Sequence, residues 1–276
     1  NINLLLTSLL AFFVFCAASS SMYIFNDLND LEKDRLHPFK KNRPLASGKL
    51  SVPVAITFAV SASIFALWLA YSINSAFFFT IIVFHILQFA YSVYLKNIIL
   101  LDIFAIASGF ILRVYAGEAA TGFHIDIWLF LTVISVSLFL AIGKRRSELT
   151  LLSGFTGTRK TLSHYSEKML DVYISMFANS AWITYAFYTF LQSPPVLRQR
   201  LGTLFDQYNL DILQDKKWLM ITIPVVIYGI MRYLQLIYEK NEGESPERVI
   251  LSDKPLMVTA VVLGTMVFAI IYIIRR

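Results

Sequence analysis

The sequence predicts an all-α fold, a polytopic bundle of helices that crosses a membrane several times. Of its 276 residues, 57% are hydrophobic and only 15% are charged, which is far outside the balance of soluble domains. Eight apolar runs of about twenty residues are long enough to span a hydrocarbon core. Each run is continuously apolar rather than alternating, which favours helices over the strands of a membrane barrel.

The eight runs follow one another without a low-complexity stretch or an obvious linker, so we expect a single domain, 1–276. The runs lie at 3–24, 53–72, 76–95, 99–117, 125–143, 172–191, 218–238 and 256–274. The first run lacks the basic segment and the small-residue cleavage site of a secretory signal, so a cleaved signal peptide is not expected. Cys16 is the only cysteine, which excludes an intrachain disulfide and a cysteine-ligated metal.

The distribution of Lys and Arg predicts the orientation in the membrane. Three long connections, 25–51, 144–170 and 239–254, hold most of the 24 basic residues, whereas two outward links are short and almost uncharged. Basic loops face the cytoplasm. We therefore expect a multi-pass protein of the inner (plasma) membrane with its chemistry on the cytoplasmic face. The remaining outward segment, 192–217, is expected to carry a short amphipathic helix with a structural role.

Carboxylates at helical spacing open the first long connection. If the first helix continues past the membrane, Asn26, Asp30 and Asp34 lie on one face, with Asp27 beside Asn26. Carboxylates on one face repel each other, and Mg²⁺ among them relieves that repulsion while bridging to substrate phosphates. The structural alternative is a solvated helix end whose acids pair with neighbouring Lys and Arg.

Basic side chains follow these carboxylates directly. Lys40 and Arg43, together with His37 and Lys41, stand in an irregular loop that contains two prolines. Carboxylate–Mg²⁺–phosphate contacts combined with Lys or Arg on the same phosphate can hold a diphosphate and stabilise it as it leaves. The first connection is therefore predicted to bind a diphosphate.

Two further cations lie in or beside the apolar runs. Lys96 closes a tight hairpin, "YSVYLKNIILLD" at 91–102, at the membrane depth of the carboxylates, and either meets phosphate or is an ordinary cytoplasmic lysine. Arg113 lies inside a span, where a charge is costly and should face the bundle interior. It holds a phosphate or a cluster carboxylate, or else it pairs with Glu118 or reaches the far interface.

The second long connection is mostly basic. Lys144, Arg145 and Glu148 fall within two helical turns of the membrane surface and are expected to complete an anion pocket opposite the first connection. Tyr165 is a further candidate for substrate contact, whereas His164 is more typical of a structural histidine. The alternative for this charge run is a plain cytoplasmic anchor.

The pattern N-D-x-x-D-x-x-x-D at 26–34, followed by "RPLASG" at 43–48, resembles the first signature of the UbiA-type superfamily of intramembrane prenyltransferases. The second acidic motif of its aromatic prenyltransferases, D-x-x-x-D, is absent from the second connection. With "YLKNIILLDIFAIASGFILRVYAG", "GKRRSEL" and "GESPERVILSDKPL" in order, the chain is similar to the decaprenyl-phosphate phosphoribosyltransferase branch. That resemblance implies nine helices, so a ninth is expected before residue 1.

The resemblance implies transfer of the 5-phosphoribosyl group from phosphoribosyl pyrophosphate to a membrane polyprenyl (decaprenyl) phosphate, with release of pyrophosphate, for cell-wall arabinan precursors. Asp27, Asp30 and Asp34, with Asn26, would hold Mg²⁺-pyrophosphate. The expected substrate-binding residues are Asn26, Lys40, Arg43, Lys96, Arg113, Lys144, Arg145, Glu148 and Tyr165. The resemblance also implies a homo-oligomer such as a trimer, and nothing indicates a nucleic-acid partner. The alternatives are prenyl transfer to an aromatic acceptor and a non-catalytic transporter or lipid scramblase.

Overall fold

The structure, a computed structural model, describes residues 2–36, 40–151, 164–192, 217–240, 249 and 251–274. Every regular element in these ranges is helical, which confirms the predicted all-α class. The helices fall into two compact units. The first contains the helices up to Thr121 together with residues 164–166, and the second contains the helices from Ile127 onward. The single domain expected from the sequence remains a prediction.

The first unit contains four long helices and one short one. They are α1 (Ile2–Asn29), α2 (Leu31–Leu36), α3 (Val52–Ile73), α4 (Ser75–Val93) and α5 (Leu101–Thr121). Short 3-10 turns at Lys40–Asn42 and Leu95–Asn97 precede α3 and α5. The predicted runs at 53–72 and 76–95 therefore match α3 and α4 to within about two residues.

Small residues allow the helices of the first unit to approach one another closely. Ala18 of α1 and Ala66 of α3 are fully buried, and both belong to a core that Phe77 and Phe84 of α4 fill. Inside a membrane this close van der Waals packing, rather than exclusion of water, holds helices together. Phe84 also packs on Phe15 of α1, with their ring centroids 4.7 Å apart.

A single asparagine makes the outward turn between α3 and α4. The Asn74 side-chain oxygen accepts a hydrogen bond from the Phe77 backbone N–H at 2.8 Å, which caps α4. Its amide nitrogen donates to the Ala119 carbonyl at 2.9 Å, near the end of α5. The short, uncharged outward link expected from the sequence is therefore held to a third helix.

The second unit contains α6 (Ile127–Leu151), α7 (Glu167–Leu191), α8 (Ile223–Gln235) and α9 (Lys254–Phe268). A 3-10 turn, Trp218–Thr222, leads into α8, and π-helical turns extend α8 to Lys240 and α9 to Ile274. Arg232 of α8 contacts both carboxylate oxygens of Asp253, at 3.0 and 2.6 Å. Asp253 in turn caps α9 by accepting from the Leu256 N–H at 3.0 Å.

Seven helices in the described ranges are long and apolar enough to cross a membrane. The run predicted at 172–191 forms the 25-residue helix α7, which is not among the seven. Its serine, asparagine and tyrosine side chains lower its hydropathy. The count of eight spans therefore remains a prediction. The amphipathic helix expected in 192–217 lies outside the described residues, apart from the two ends of the segment, residues 192 and 217. His37 also lies outside the described residues.

Candidate active site

Helix α1 carries the acidic residues of the first connection beyond its apolar part. It runs unbroken to Asn29, so Asn26 and Asp27 lie in its last turn. At Asp30 the helix is interrupted, but the Asp30 N–H still bonds the Asn26 carbonyl at 3.0 Å, and the Asp34 N–H bonds the Asp30 carbonyl at 2.8 Å. Helical hydrogen bonding therefore continues through the cluster, as the four-residue spacing predicts.

Two cations contact all three aspartates of this acidic cluster. Arg43 Nη1 lies 2.6 Å from Asp27 Oδ1 and 2.9 Å from Asp34 Oδ2. Lys96 Nζ lies 2.6 Å from Asp30 Oδ1. The structure thus brings together five of the residues that the sequence assigned to the site, and it does so through ion pairs that relieve the repulsion between carboxylates.

The two ion-pairing cations differ in their exposure. The Arg43 side chain is 38% exposed, whereas the Lys96 side chain is 3% exposed and that of its partner Asp30 is 8% exposed. A solvent-facing guanidinium can exchange a carboxylate for a phosphate without leaving its position. A buried ammonium is held where it is. Arg43 is therefore suited to touch a substrate, and Lys96 is suited to orient Asp30.

A compact turn delivers Arg43 to the carboxylates. Its N–H bonds the Lys40 carbonyl at 3.0 Å, and its own carbonyl accepts from the Ser47 N–H at 2.8 Å. Leu45 is buried and anchors the turn, and Gly48 has a positive φ of 77°, a conformation that glycine adopts without steric cost. The residues that follow Arg43 in the "RPLASG" segment therefore give structural support to its guanidinium.

A second turn delivers Lys96. It connects α4 to α5, and the last turn of α4 before it is tied to the end of α1 because the Asn29 amide donates to the Ser92 carbonyl at 2.7 Å. The Tyr165 hydroxyl contacts the same turn, since it accepts from the Leu100 N–H at 2.7 Å. Asn29 and Tyr165 thus hold the hairpin that the sequence placed at the depth of the carboxylates.

The cluster fits Mg²⁺ that shares its ligands with a phosphate. Within the described ranges no group of three or more His, Cys, Asp or Glu side chains is arranged to hold a metal ion. Mg²⁺, however, usually takes one or two protein carboxylates and completes its shell with waters and substrate phosphates. The side-chain oxygen of Asn26 is buried and has no hydrogen-bond partner in the described part of the chain, so it is a further oxygen that can serve as a metal ligand.

Arg113 does not reach the acidic cluster. Its guanidinium lies over the rings of Phe84 and Phe110, at 5.7 and 5.3 Å, and Nη1 donates to the Gly109 carbonyl at 3.3 Å. Phe84 packs on Phe15, which precedes Asn26 by eleven residues or about 16 Å of helix. The expectation that Arg113 holds a cluster carboxylate is therefore wrong.

The alternative pairing of Arg113 with Glu118 is also not observed in the described structure, where Glu118 contacts His124 at 2.8 Å. Arg113 instead borders a cavity of about 460 Å³ inside the first unit. The cavity is otherwise lined by α1 between Ser8 and Tyr23, by Phe77 and by Ala116 and Gly117. Aromatic faces rather than a carboxylate stabilise this intramembrane cation in the described structure.

The predicted anion-binding residues of the second unit lie at the end of α6. Arg145 is fully buried and forms an ion pair with Glu148 one turn later, while Lys144 is half-buried beside them. Arg146, which the sequence analysis did not select, contacts Asp171 at 2.8 Å. The role of Lys144, Arg145 and Glu148 in an anion pocket stays a prediction.

Sequence reasoning gave no role to Asp102, which is fully buried at the start of α5 and accepts a hydrogen bond from Tyr165 at 2.7 Å. One signal could have found it: a lone carboxylate at the head of an apolar run, where an ionisable group is costly without a partner. The partner itself lies 63 residues away, so periodicity could not reveal it.

Comparison with known proteins identifies the family. Residues 1–146 match the UbiA prenyltransferase family. The chain is 33% identical over 250 residues to the decaprenyl-phosphate phosphoribosyltransferase of Mycolicibacterium smegmatis, covering 90% of this chain and 75% of that one. It is 34% identical over 255 residues to the protein of the same name from Corynebacterium glutamicum, covering 91% and 71%.

Solved structures agree on the fold. A UbiA homolog from Archaeoglobus fulgidus bound to GPP and Mg²⁺ superposes with a TM-score of 0.70 at 19% identity, over 96% of this chain and 87% of that one. The apo structure of a UbiA homolog from Aeropyrum pernix gives 0.59 at 15% identity, over 96% and 94%. The family and the transferase class expected from the sequence are thereby confirmed. The chain belongs to the UbiA prenyltransferase family.

Proposed function

We propose that this protein transfers the 5-phosphoribosyl group of phosphoribosyl pyrophosphate to decaprenyl phosphate, or a similar polyprenyl phosphate, and releases pyrophosphate. The observation that carries the proposal is the identity of about one third, over nine tenths of the chain, to proteins named decaprenyl-phosphate phosphoribosyltransferase. The lipid product would serve the synthesis of cell-wall arabinan precursors.

The chemistry requires charge binding rather than an added base. The acceptor phosphate is already an anion near neutral pH, so its oxygen can attack the anomeric carbon directly. A bond forms between that oxygen and the anomeric carbon, and the bond from this carbon to pyrophosphate breaks. The protein must then align the two substrates and stabilise the charge on the departing pyrophosphate.

The acidic cluster supplies that stabilisation. Asp27, Asp30 and Asp34 bring three negative charges, which Arg43 and Lys96 only partly balance, so the face attracts a divalent cation. Bound Mg²⁺ would neutralise charge on the leaving diphosphate. The carboxylates and the Asn26 oxygen hold the ligand positions on one helix face.

The cations divide the remaining work according to their exposure. Arg43 faces solvent and presents its guanidinium to the diphosphate oxygens, with Lys40 in the preceding turn. Lys96 is buried, so it keeps Asp30 in the orientation that metal binding requires. Lys144 and Arg145 of the second unit are the further candidates for phosphate binding.

We place this site at the cytoplasmic face of the plasma membrane, because the basic connections cluster on one side of the predicted topology. The family resemblance also supports a homo-oligomer such as a trimer. Labelling of a cysteine introduced at the exposed Lys49 of a variant in which Cys16 is replaced by serine, in sealed and opened vesicles, tests the orientation. Mass measurement of the protein in detergent tests the assembly.

The decisive experiment supplies purified protein with radiolabelled phosphoribosyl pyrophosphate, decaprenyl phosphate and Mg²⁺, and the expected product is a labelled lipid. The variants Asp30→Asn and Asp34→Asn should lose turnover, because each removes a charge from the cluster. Glu32→Gln is the matched control, since Glu32 is an exposed acid in the same segment. A lipid product that appears only with an isoprenyl diphosphate and an aromatic acid would overturn the proposal.

A further inference from the structure

A buried tyrosine joins two distant segments of the first unit. Tyr165 is 5% exposed, and its hydroxyl donates to Asp102 Oδ1 at 2.7 Å while it accepts from the Leu100 N–H at 2.7 Å. The hydroxyl therefore uses both its proton and a lone pair on protein groups. Tyr165 was expected to touch substrate, but these two contacts point to a different task.

The backbone beside this contact is strained. Leu100 has φ of 66° and ψ of −41°, and it is the one non-glycine residue in the described ranges with a positive φ. Such a conformation is unfavourable for a residue with a side chain and persists only where surrounding contacts enforce it. The Tyr165 hydroxyl binds the N–H of this very residue, so it is one of the contacts that enforce the conformation.

The strained residue belongs to the turn that carries Lys96. The Ile98 N–H bonds the Leu95 carbonyl at 3.1 Å, and the Asp102 N–H bonds the Ile98 carbonyl at 3.1 Å. A continuous set of hydrogen bonds therefore leads from Asp102 to the residue next to Lys96. Since Lys96 is buried against Asp30, a shift of this turn would displace its ammonium from the carboxylate.

We propose that Tyr165 and Asp102 form a latch that holds the Leu95–Leu100 turn, so that Lys96 aligns Asp30 for the donor diphosphate. Both are positioning residues in this proposal, because they act through Lys96. The proposal rests on the proposed function insofar as it names a donor diphosphate at the acidic cluster. It assigns Asp102 a role and changes that of Tyr165.

The test removes the hydroxyl alone. Tyr165→Phe keeps the ring and removes the hydroxyl. The Mg²⁺ concentration and the donor concentration that give half the maximal rate should each rise about tenfold. A tenfold change corresponds to the free energy of about one ordinary hydrogen bond. The KM for the lipid acceptor should stay within twofold. Tyr94→Phe is the matched control, because Tyr94 is 65% exposed and lies in the same hairpin.

A second pair of variants distinguishes loss of the latch from a general loss of folded protein. Asp102→Asn keeps an oxygen that accepts from the tyrosine and should retain the donor KM within threefold, whereas Asp102→Leu should reproduce the effect of Tyr165→Phe. If all variants merely lowered the maximal rate and left every KM unchanged, the latch would be refuted, because that result reports a smaller folded fraction.

Calorimetry of Mg²⁺-pyrophosphate binding to the detergent-solubilised protein makes the test independent of turnover. The latch predicts binding about tenfold weaker in Tyr165→Phe than in the wild type. Equal affinities in the two proteins would overturn it. If the wild type binds Mg²⁺-pyrophosphate but labels no lipid from phosphoribosyl pyrophosphate, the proposed function fails while the latch is still decided by this comparison.

Discussion

The buried ion pair between Lys96 and Asp30 supports a quantitative prediction. At 2.6 Å and an effective dielectric constant of about 20, the attraction between the charges is about 6 kcal/mol before desolvation is counted. Replacing Lys96 with methionine keeps most of the volume but leaves a buried carboxylate without its cation. Breaking a buried pair in this way costs about 3–5 kcal/mol.

The loss should appear in thermal unfolding followed through the fluorescence of the four tryptophans. A cost of about 3 kcal/mol corresponds to a fall in Tm of roughly 6–12 °C for a chain of this size. The matched comparison is Asp27→Asn, which breaks only the pair between Asp27 and Arg43, whose side chains are 25% and 38% exposed, and leaves Arg43 paired with Asp34. Solvent screening reduces that cost to about 1 kcal/mol or less, or roughly 2–4 °C.

A double-mutant cycle isolates the pair itself. Asp30→Leu combined with Lys96→Met should recover most of the stability lost in Lys96→Met, because two apolar side chains leave no unpaired charge. Equal losses of Tm in Lys96→Met and Asp27→Asn would refute the reasoning from burial. So would a coupling energy below about 0.5 kcal/mol, since contacting pairs normally exceed it.

Three other changes probe the site and the second unit. Arg43→Lys should lower the donor-dependent rate about tenfold, because one ammonium cannot bridge two carboxylates and a phosphate as a guanidinium does. A donor KM equal to that of the wild type would argue against contact between Arg43 and the substrate. Asn26→Leu should raise the Mg²⁺ concentration that gives half the maximal rate. Chelation of Mg²⁺ from the wild type should stop lipid labelling until Mg²⁺ is restored. Full activity in excess chelator would remove the metal from the mechanism. Arg232→Met should lower Tm by roughly 2–6 °C, because it leaves Asp253, the cap of α9, without its cation, whereas the exposed Lys254→Met should change Tm little.

The helices and the family could be predicted from the sequence because both depend on which residues follow one another along the chain. Twenty continuously apolar residues in lipid form a helix, because a helix satisfies its backbone hydrogen bonds within the segment whereas the strands of a membrane barrel alternate. The run predicted at 53–72 is the helix Val52–Ile73. The four-residue spacing of Asn26, Asp30 and Asp34 likewise predicts one helix face, which the backbone hydrogen bonds show. The relatives confirm the predicted family and the transferase class.

The partners of buried charges could not be predicted, because they lie far away in the chain. Hydropathy indicates that Arg113 should face the interior, but only packing decides that its neighbours are the rings of Phe84 and Phe110 rather than Glu118. In the same way the spacing in the first connection predicts a diphosphate site, yet it assigns Lys96 to phosphate as readily as to a carboxylate.

The sequence by itself determined the membrane helices, the acidic face at the end of α1 and the family, since these depend on composition, periodicity and order along the chain. Only the tertiary structure decided that Lys96 pairs with Asp30 and that Tyr165 binds Asp102, contacts between residues 66 and 63 positions apart. The physical reason is that a buried charge or hydroxyl must find a partner wherever helix packing brings one, and that choice is made in space rather than along the chain.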